Sequence, residues 1–317
     1  MKRILVTGSV GQIGSELAIY LRERYGADNI VAGGRKTKPS KELRESGPFE
    51  IVDCTDIEAI REVVDRYQID TIYHLAALLS AVAESNPQLA WNVNINGLIN
   101  VLEVAREHDC AVFTPSSIGA FGLSTPLDNT PQDTIQRPGT MYGVTKVSGE
   151  LLCDYYYKKY GVDTRGVRYP GIISYVTPPG GGTTDYAVEI FYEAIKKKKY
   201  TCFLKEGTKL DMMYMPDALK AAVDLMEADP GKLKHRNAFN VTAMSFAPEE
   251  IGEEVKKIIP EFTMDYDVDP LRQEIAESWP NYMDDTAAKE QWGWNPDYDL
   301  PAMSKDMIEK LRIKLEK

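Results

Sequence analysis

An α/β protein, with a doubly wound parallel sheet and a smaller, partly interleaved C-terminal lobe, is the fold class this 317-residue sequence predicts. Three observations predict it. Short β-branched and apolar runs alternate with helix-length periodic stretches through the first half, the mark of repeated strand–helix–strand units. Glycines at positions 8, 11 and 14 fall between the first strand signal and the first helix signal. After about residue 170 the alternation breaks, and Pro178-Pro179-Gly180-Gly181-Gly182-Thr183-Thr184 reads as a loop.

The elements follow in order. Ile4–Thr7 reads as a strand, and Gln12–Tyr25 as a helix, with Ile13, Leu17, Leu21 and Tyr25 at helical spacing. Strands are expected at 29–32, 49–52, 71–75, 111–115 and 163–169. Helices are expected at 57–67, 89–108 and 141–160. Right-handed crossovers would wind these helices onto both faces of the sheet. Beyond the loop, 186–198, 216–228 and 248–259 read as helices, 239–241 as a short strand, and 300–315 as a solvated helix. The expected division is a dinucleotide-binding lobe over 1–172 and a mainly substrate-binding lobe over 173–317, with a segment near Phe239 returning to the sheet.

Composition narrows the class. Net charge is −11, so nucleic acid is not expected as a partner, because phosphate binding needs a clustered basic surface. The one basic run, Lys196 to Lys199, reads as the cationic last turn of a helix. Cys54, Cys110, Cys153 and Cys202 are widely spaced and form no CxxC, so neither disulfides nor a zinc site is expected. His74, His108 and His235 are scattered and suggest no metal cluster. No uninterrupted apolar run of about 18 residues appears, and the first strand is too short for a signal-peptide core. A cytoplasmic, membrane-free protein is the expectation.

Two motifs carry chemistry. In Thr7-Gly8-Ser9-Val10-Gly11-Gln12-Ile13-Gly14, Gly8 permits a tight turn, Gly11 lets backbone approach a pyrophosphate, and Gly14 lets the helix pack on the strand. The N–H groups of Gln12 and Ile13 and the positive end of the helix dipole would meet the anion. About 20 residues further on, where a carboxylate commonly holds the ribose of NAD, the chain reads Ala32-Gly33-Gly34-Arg35-Lys36. Arg35 and Lys36 there would suit a 2′-phosphate, or Arg35 would cover an adenine, so NAD is expected with NADP left open. Asp53 is the expected acid on the adenine side. The second motif is Tyr142-Gly143-Val144-Thr145-Lys146, with Ser116-Ser117 upstream. Tyr142 and Lys146 share a helix face. An ammonium beside a phenol favours the phenolate, which takes a proton from an alcohol while hydride leaves the adjacent carbon.

With these motifs in place the chain resembles the extended short-chain dehydrogenase/reductase family of the epimerase/dehydratase type. The likeness extends over residues 1 to about 300 through the glycine loop, His74-Leu75-Ala76-Ala77, Asn94 with Gly97, Pro115-Ser116-Ser117, and Tyr142 with Lys146. The resemblance implies a Rossmann-type fold and catalytic roles for Ser117, Tyr142 and Lys146. It further implies that Leu75, Ala76, Ala77 and Asn94 line or support the cofactor pocket, and that Tyr169, Pro170 and Ile172 pass the nicotinamide. Finer stretches, such as Arg168-Tyr169-Pro170-Gly171-Ile172, Thr183-Thr184-Asp185 and Ser278-Trp279-Pro280, resemble the threonine-oxidising branch of that family. That branch implies L-threonine as substrate and a homodimer.

The residues suit such a substrate. Ser80, Thr183 and Thr184 offer hydroxyls, and Gly182 offers a backbone N–H, for a carboxylate. Asp185 reads either as the ammonium partner or as a helix N-cap, and Trp279 either as a lid or as core. Ser117 and Tyr142 would hold the substrate hydroxyl. Two alternatives stay open: a nucleotide-sugar epimerase or dehydratase, and a non-catalytic dinucleotide sensor. Acid-rich 261–300, with Asp265, Asp267, Asp269, Asp284 and Asp285, speaks against a bulky diphosphate. The stretches 89–108 and 141–160, with Tyr155, Tyr156 and Tyr157, carry apolar residues on more than one face and suit pairing with a second copy.

Overall fold

Residues 1–180 and 182–316, and of Ser80 and Ala81 the backbone alone, are described by the structure, a computed structural model. They form two compact units. The first comprises Met1–Ala120, Pro138–Arg168 and Leu219–Phe239, and the second Phe121–Arg137, Tyr169–Ala218 and Asn240 onward.

In the first unit the chain runs β1 (Ile4–Thr7), α1 (Gln12–Tyr25), β2 (Ile30–Gly34), α2 (Lys41–Glu45), β3 (Phe49–Ile51), α3 (Ile57–Tyr67) and β4 (Thr71–His74). It continues through α4 (Ser80–Ser85), α5 (Pro87–Trp91), α6 (Gly97–His108), β5 (Ala111–Phe113), β6 (Ser116–Ser117), α7 (Met141–Tyr160), β7 (Thr164–Arg165) and β8 (Val167–Tyr169). Six strands pair in the order β3-β2-β1-β4-β5-β7, all parallel. β1 and β4 are buried along their whole length, as a sheet covered on both faces requires. Strand order reverses beside β1, so the crevice beyond the C-terminal ends of β1 and β4 is the place where such sheets bind ligands. This is the Rossmann-type sheet that the strand–helix alternation predicts.

Two elements depart from the sequence expectation. The helix expected over 89–108 is continuous but carries a π-turn at Asn92–Asn96, which joins α5 to α6. The wider turn inserts a residue into the helical ladder and leaves Asn94 buried, with its side chain bonded to a neighbouring loop. The strand expected over 163–169 is two strands. At Gly166 the chain leaves the main sheet, because its N–H donates to the Arg236 carbonyl (2.9 Å) and a Cβ there would run into the Thr114 carbonyl. β8 then joins a small sheet of order β12-β8-β6, where β12 is Phe239–Asn240. The returning segment near Phe239 therefore pairs with β8 and does not extend the six-stranded sheet.

The second unit holds β9 (Gly171–Ile173), α8 (Tyr186–Lys197), β10 (Lys199–Cys202) and β11 (Leu210–Tyr214). α9 (Met215–Glu227) precedes β12, and β13 (Met244–Phe246), α10 (Pro248–Ile258), β14 (Thr263–Tyr266), α11 (Pro270–Glu277), α12 (Thr286–Trp292) and α13 (Leu300–Leu315) follow it. β11 pairs parallel with β9 and antiparallel with β13, and β10 pairs parallel with β14. The core gathers Tyr186, Phe191, Tyr214 and Phe246. α13 is not a solvated helix: Met303, Met307 and Leu311 recur every four residues, and that stripe is buried in this core. Lys196 and Lys197 do lie in the last turn of α8, as the basic run predicts. All four cysteines are free thiols, each buried.

Candidate functional site

The glycine loop sits at the C-terminal end of β1 with no room to spare. Gly8 has a left-handed φ of 74°, and a Cβ there would lie 2.6 Å from the Ala76 nitrogen. A Cβ at Gly14 would collide with the Gly8 carbonyl, so the helix packs on the loop only because residue 14 has no side chain. α1 starts at an N-cap, Gly11, that supplies no side-chain acceptor to Gln12, Ile13 or Gly14. A ring of N–H groups at a helix N-terminus, against closely packed backbone, suits a pyrophosphate. These residues fit a dinucleotide.

A pocket lies within the first unit, and Leu75, Ala76, Ala77, Asn94, Ser116 and Lys146 are among its lining residues. Asn94 accepts from the Leu78 N–H (2.7 Å) and donates to the Leu78 carbonyl (3.1 Å) and to Thr145 Oγ1 (3.0 Å). It thereby ties the loop after β4 to α7. His74 is buried in the same wall, its Nδ1 2.8 Å from Thr7 Oγ1. Burial, with the Lys146 charge adding, pushes its imidazole down to about 3, so it is neutral across the physiological range.

Ser117, Tyr142 and Lys146 converge on one turn. α7 is capped by Thr140, whose hydroxyl accepts from the Gly143 N–H (3.1 Å). A Cβ on Gly143 would strike the Gly119 carbonyl, so the helix start is pressed against the turn that follows β6. On that turn a Cβ at Gly119 would lie 3.3 Å from the Tyr142 ring and 3.5 Å from Ser117 Oγ. Ser117 Oγ accepts from the Gly119 N–H (3.1 Å). Lys146 Nζ stands 5.4 Å from the Tyr142 ring centre and donates to the Pro115 carbonyl (2.6 Å). A phenol, a hydroxyl and an ammonium gathered this way are equipped to hold an alcohol oxygen and remove its proton.

The far end of the loop explains the missing acid. A Cβ at Gly34 would lie 2.9 Å from the Phe49 ring and 3.1 Å from Val10 Cγ1, so β3 and the glycine loop close over that position. Arg35 Nε pairs with Asp53 Oδ2 at 2.7 Å. Asp53 Oδ1 accepts from the Thr55 N–H (3.0 Å) and hydroxyl (2.8 Å). Burial works against the Asp53 charge, but these donors, with Arg35 and Lys36, hold the carboxyl below its ordinary range.

Other expected residues lie in the second unit. Tyr169 is buried, and its hydroxyl donates to the Ala218 carbonyl (2.6 Å). Pro170 and Ile172 flank Gly171, whose missing Cβ makes room for the Met212 sulfur and for Thr184. Gly182, Thr183, Thr184 and Asp185 form the turn that leads into α8. The Asp185 carboxylate accepts from the N–H groups of Gly180 (2.7 Å) and Gly182 (2.8 Å) and makes no cap bond to α8. Trp279 is half-buried against the second unit's core. The Ser80 side chain and Gly181 lie outside the described residues.

Sequence reading missed Thr114, Thr145, Gly149, Asn237 and Ala238 in the cavity wall, and Glu150 beside them. Asn237 and Ala238 come from a return segment with no local signature. Glu150 was within reach, four residues beyond Lys146 on the same helix face.

Comparison with known proteins is consistent throughout. Residues 4–242 match the family described as the NAD dependent epimerase/dehydratase family. An uncharacterized epimerase/dehydratase of Staphylococcus aureus is 54% identical over 99% of this chain and 98% of its own. L-threonine dehydrogenase from Clostridium difficile superposes with a TM-score of 0.98 at 63% identity, covering 99% of this chain and 98% of that one. The holo form of a GalE-like L-threonine dehydrogenase from Cupriavidus necator gives 0.93 at 47% identity, covering 98% and 99%. Among the described residues no helix is long and apolar enough to cross a membrane.

Proposed function

The chain belongs to the NAD-dependent epimerase/dehydratase family, and from that premise we propose that it oxidises the C3 hydroxyl of L-threonine to 2-amino-3-ketobutyrate. The observation that carries this reading is the convergence of Ser117, Tyr142 and Lys146 on one turn beside a glycine loop fitted to a dinucleotide. Similarity to the threonine dehydrogenases of C. difficile and C. necator supports the choice of alcohol. NAD+, when bound, supplies the hydride acceptor. Tyr142 removes the hydroxyl proton as general base, Ser117 holds the same oxygen by hydrogen bond, and Lys146 favours the phenolate by its charge. Gly8, Gly11, Gln12, Ile13 and Gly14 hold the pyrophosphate. To the cofactor we assign Leu75, Ala76, Ala77 and Asn94, and to its nicotinamide end Tyr169, Pro170 and Ile172.

Arg35 and Asp53 serve the adenosine end. With Gly34 closed off by Phe49, no carboxylate at that position repels a 2′-phosphate, so the reading is NAD with NADP tolerated. For substrate we assign Ser80, Gly182, Thr183 and Thr184 to the carboxylate, Asp185 to the ammonium side and Trp279 to the cover. The enzyme would work in threonine breakdown in the cytoplasm, a reading that four free, buried thiols support. It would act as a homodimer, for which the exposed Val144, Leu151 and Tyr155, on one face of α7, offer the apolar stripe.

The test is cofactor reduction by purified protein given L-threonine, UDP-glucose or no substrate, with NAD+ and NADP+ in turn. Threonine-dependent NADH formation is expected. No threonine-dependent reduction with either cofactor would overturn the assignment. Leu151→Glu should yield a monomer in sedimentation analysis if the stripe is the dimer face, whereas an unchanged sedimentation coefficient would exclude it.

A further inference from the structure

Resting on the dehydrogenase reading above, we propose that Glu150 is a positioning residue for the reaction. It clamps the strand that carries Ser117 to the helix that carries Tyr142 and Lys146, and so sets their spacing. The catalytic groups stand on two separate elements, β6 and α7, and two side chains of α7 one turn apart reach β6 and the residue before it. Lys146 Nζ donates to the Pro115 carbonyl (2.6 Å), and the Ser116 hydroxyl donates to the Glu150 carboxylate. Glu150 is held in turn by Arg168, on the neighbouring strand β8, through a two-pronged pair: Nε to Oε1 at 3.0 Å and Nη2 to Oε2 at 2.8 Å.

Both side chains of this pair are only 7% exposed. Two charges taken out of water carry a desolvation cost that well-packed apolar residues of similar volume avoid, so stability alone is a weak reason to keep such a pair. What a bidentate arginine–carboxylate pair does supply is geometry, because the planar fork fixes both partners in distance and angle. Here it fixes Glu150 in the plane from which it receives Ser116. Lys146 also has to serve the reacting phenol, whereas Glu150 has no such second task. The Glu150 clamp therefore holds β6, and with it Ser117, against α7 independently of what the lysine ammonium is bonded to.

The test uses the full chain with Glu150→Met and Arg168→Met combined, which removes both charges and keeps bulk. For threonine oxidation kcat should fall by about 10²-fold, the effect of a misplaced reacting group, while KM for threonine and NADH affinity by fluorescence titration stay within about threefold. Hydrogen exchange supplies a readout that does not depend on turnover. The Gly119 amide, bonded to Ser117 Oγ, should exchange faster in the variant, with protection of the β1 and β4 amides unchanged. A folded double variant with wild-type kcat and wild-type Gly119 protection would overturn the proposal. If that variant does not fold, Ser116→Ala decides, since it removes only the strand end of the clamp. A fall in kcat of about tenfold with KM unchanged supports the clamp, and full kcat refutes it. A wild-type protein inactive on threonine fails the dehydrogenase reading instead, and the exchange experiment still judges the clamp.

Discussion

The turn of the first unit that gathers Ser117, Tyr142 and Lys146 and the stretches 174–180 and 182–185 of the second are built on opposite principles. Around Ser117, Tyr142 and Lys146 the backbone leaves no slack: glycines at 119 and 143 stand where any side chain would press on the neighbouring element. In 174–180 and 182–185, polar side chains turn back on their own chain. Ser174 Oγ accepts from the Val176 N–H (3.0 Å), Asp185 accepts from Gly180 and Gly182, and Lys314 Nζ donates to the Tyr175 (2.9 Å) and Val176 (2.8 Å) carbonyls. The first region takes its shape from close backbone packing at Gly119 and Gly143. The second is held by hydrogen bonds of its polar groups, among them Asp185, to which the proposed reading assigns a substrate contact. Substitutions in the first should therefore strike kcat, and substitutions in the second KM.

The largest effect is expected of Tyr142→Phe, which leaves the packing and removes the hydroxyl proposed as the base. Turnover should fall by about 10³-fold, with NADH binding retained in a fluorescence titration, and normal turnover would remove Tyr142 from the mechanism. Next is Asp185→Asn, which keeps the shape and weakens the bonds to Gly180 and Gly182. KM for threonine should rise by about tenfold with kcat within a factor of about three, read from initial rates. A collapse of kcat instead would mean that this segment shares in the chemistry. Third, Gly34→Asp pushes a side chain against Phe49 and should lower stability by about 1–3 kcal/mol in thermal unfolding. Adding Phe49→Ala should recover much of that loss and raise the preference for NAD+ over NADP+. An easily accommodated Gly34→Asp would show that position 34 is open.

The smallest effect is in pH. His74 in the first unit and Asp211 in the second are both buried, and burial keeps each neutral. His74 is pushed down to about 3. Asp211 is raised to about 8 by burial, against the hydrogen bonds it accepts from Thr242 Oγ1 (2.6 Å) and the Met283 N–H (2.9 Å). The signs are opposite. Below the ordinary histidine range the unfolded chain takes up a proton that folded His74 refuses, so stability falls as pH drops toward 3. Between the ordinary carboxyl range and about 8 the folded chain keeps a proton on Asp211 that the unfolded chain has released, so stability falls as pH rises through that window. Melting temperatures should show Asp211→Asn removing the decline that runs from the ordinary carboxyl range up to about 8, and His74→Gln removing the decline that runs from the ordinary histidine range down to about 3. Coincident effects on both limbs would show the two groups to be coupled.

What was legible in the sequence follows from the same contrast. The glycine loop, Ser117, Tyr142 and Lys146 have to stand at set spacings on a strand end and a helix face, so they read as motifs. The six-stranded sheet was legible for the same reason, since strands buried on both faces read as apolar runs. The π-turn at Asn92–Asn96 was not legible, because the periodicity of 89–108 passes through it, and only the bond from Asn94 to Leu78 reveals it. The break at Gly166 depends on Thr114 and Arg236, distant in sequence. α13 was misread because methionines at 303 and 307 among charged residues look solvated until the core they fill is known. Asp185 stood between two readings, and its contacts with Gly180 and Gly182 belong to neither of them.

Isotope transfer tests the proposed direct passage of hydride from threonine C3 to the cofactor. L-threonine deuterated at C3 is incubated with the protein and NAD+, and the reduced cofactor is analysed by mass spectrometry. The deuterium should appear in the nicotinamide of the reduced cofactor, one per turnover, and Tyr142→Phe should slow the transfer by about 10³-fold. Deuterium retained in threonine, or lost to water with no labelled cofactor, would contradict it.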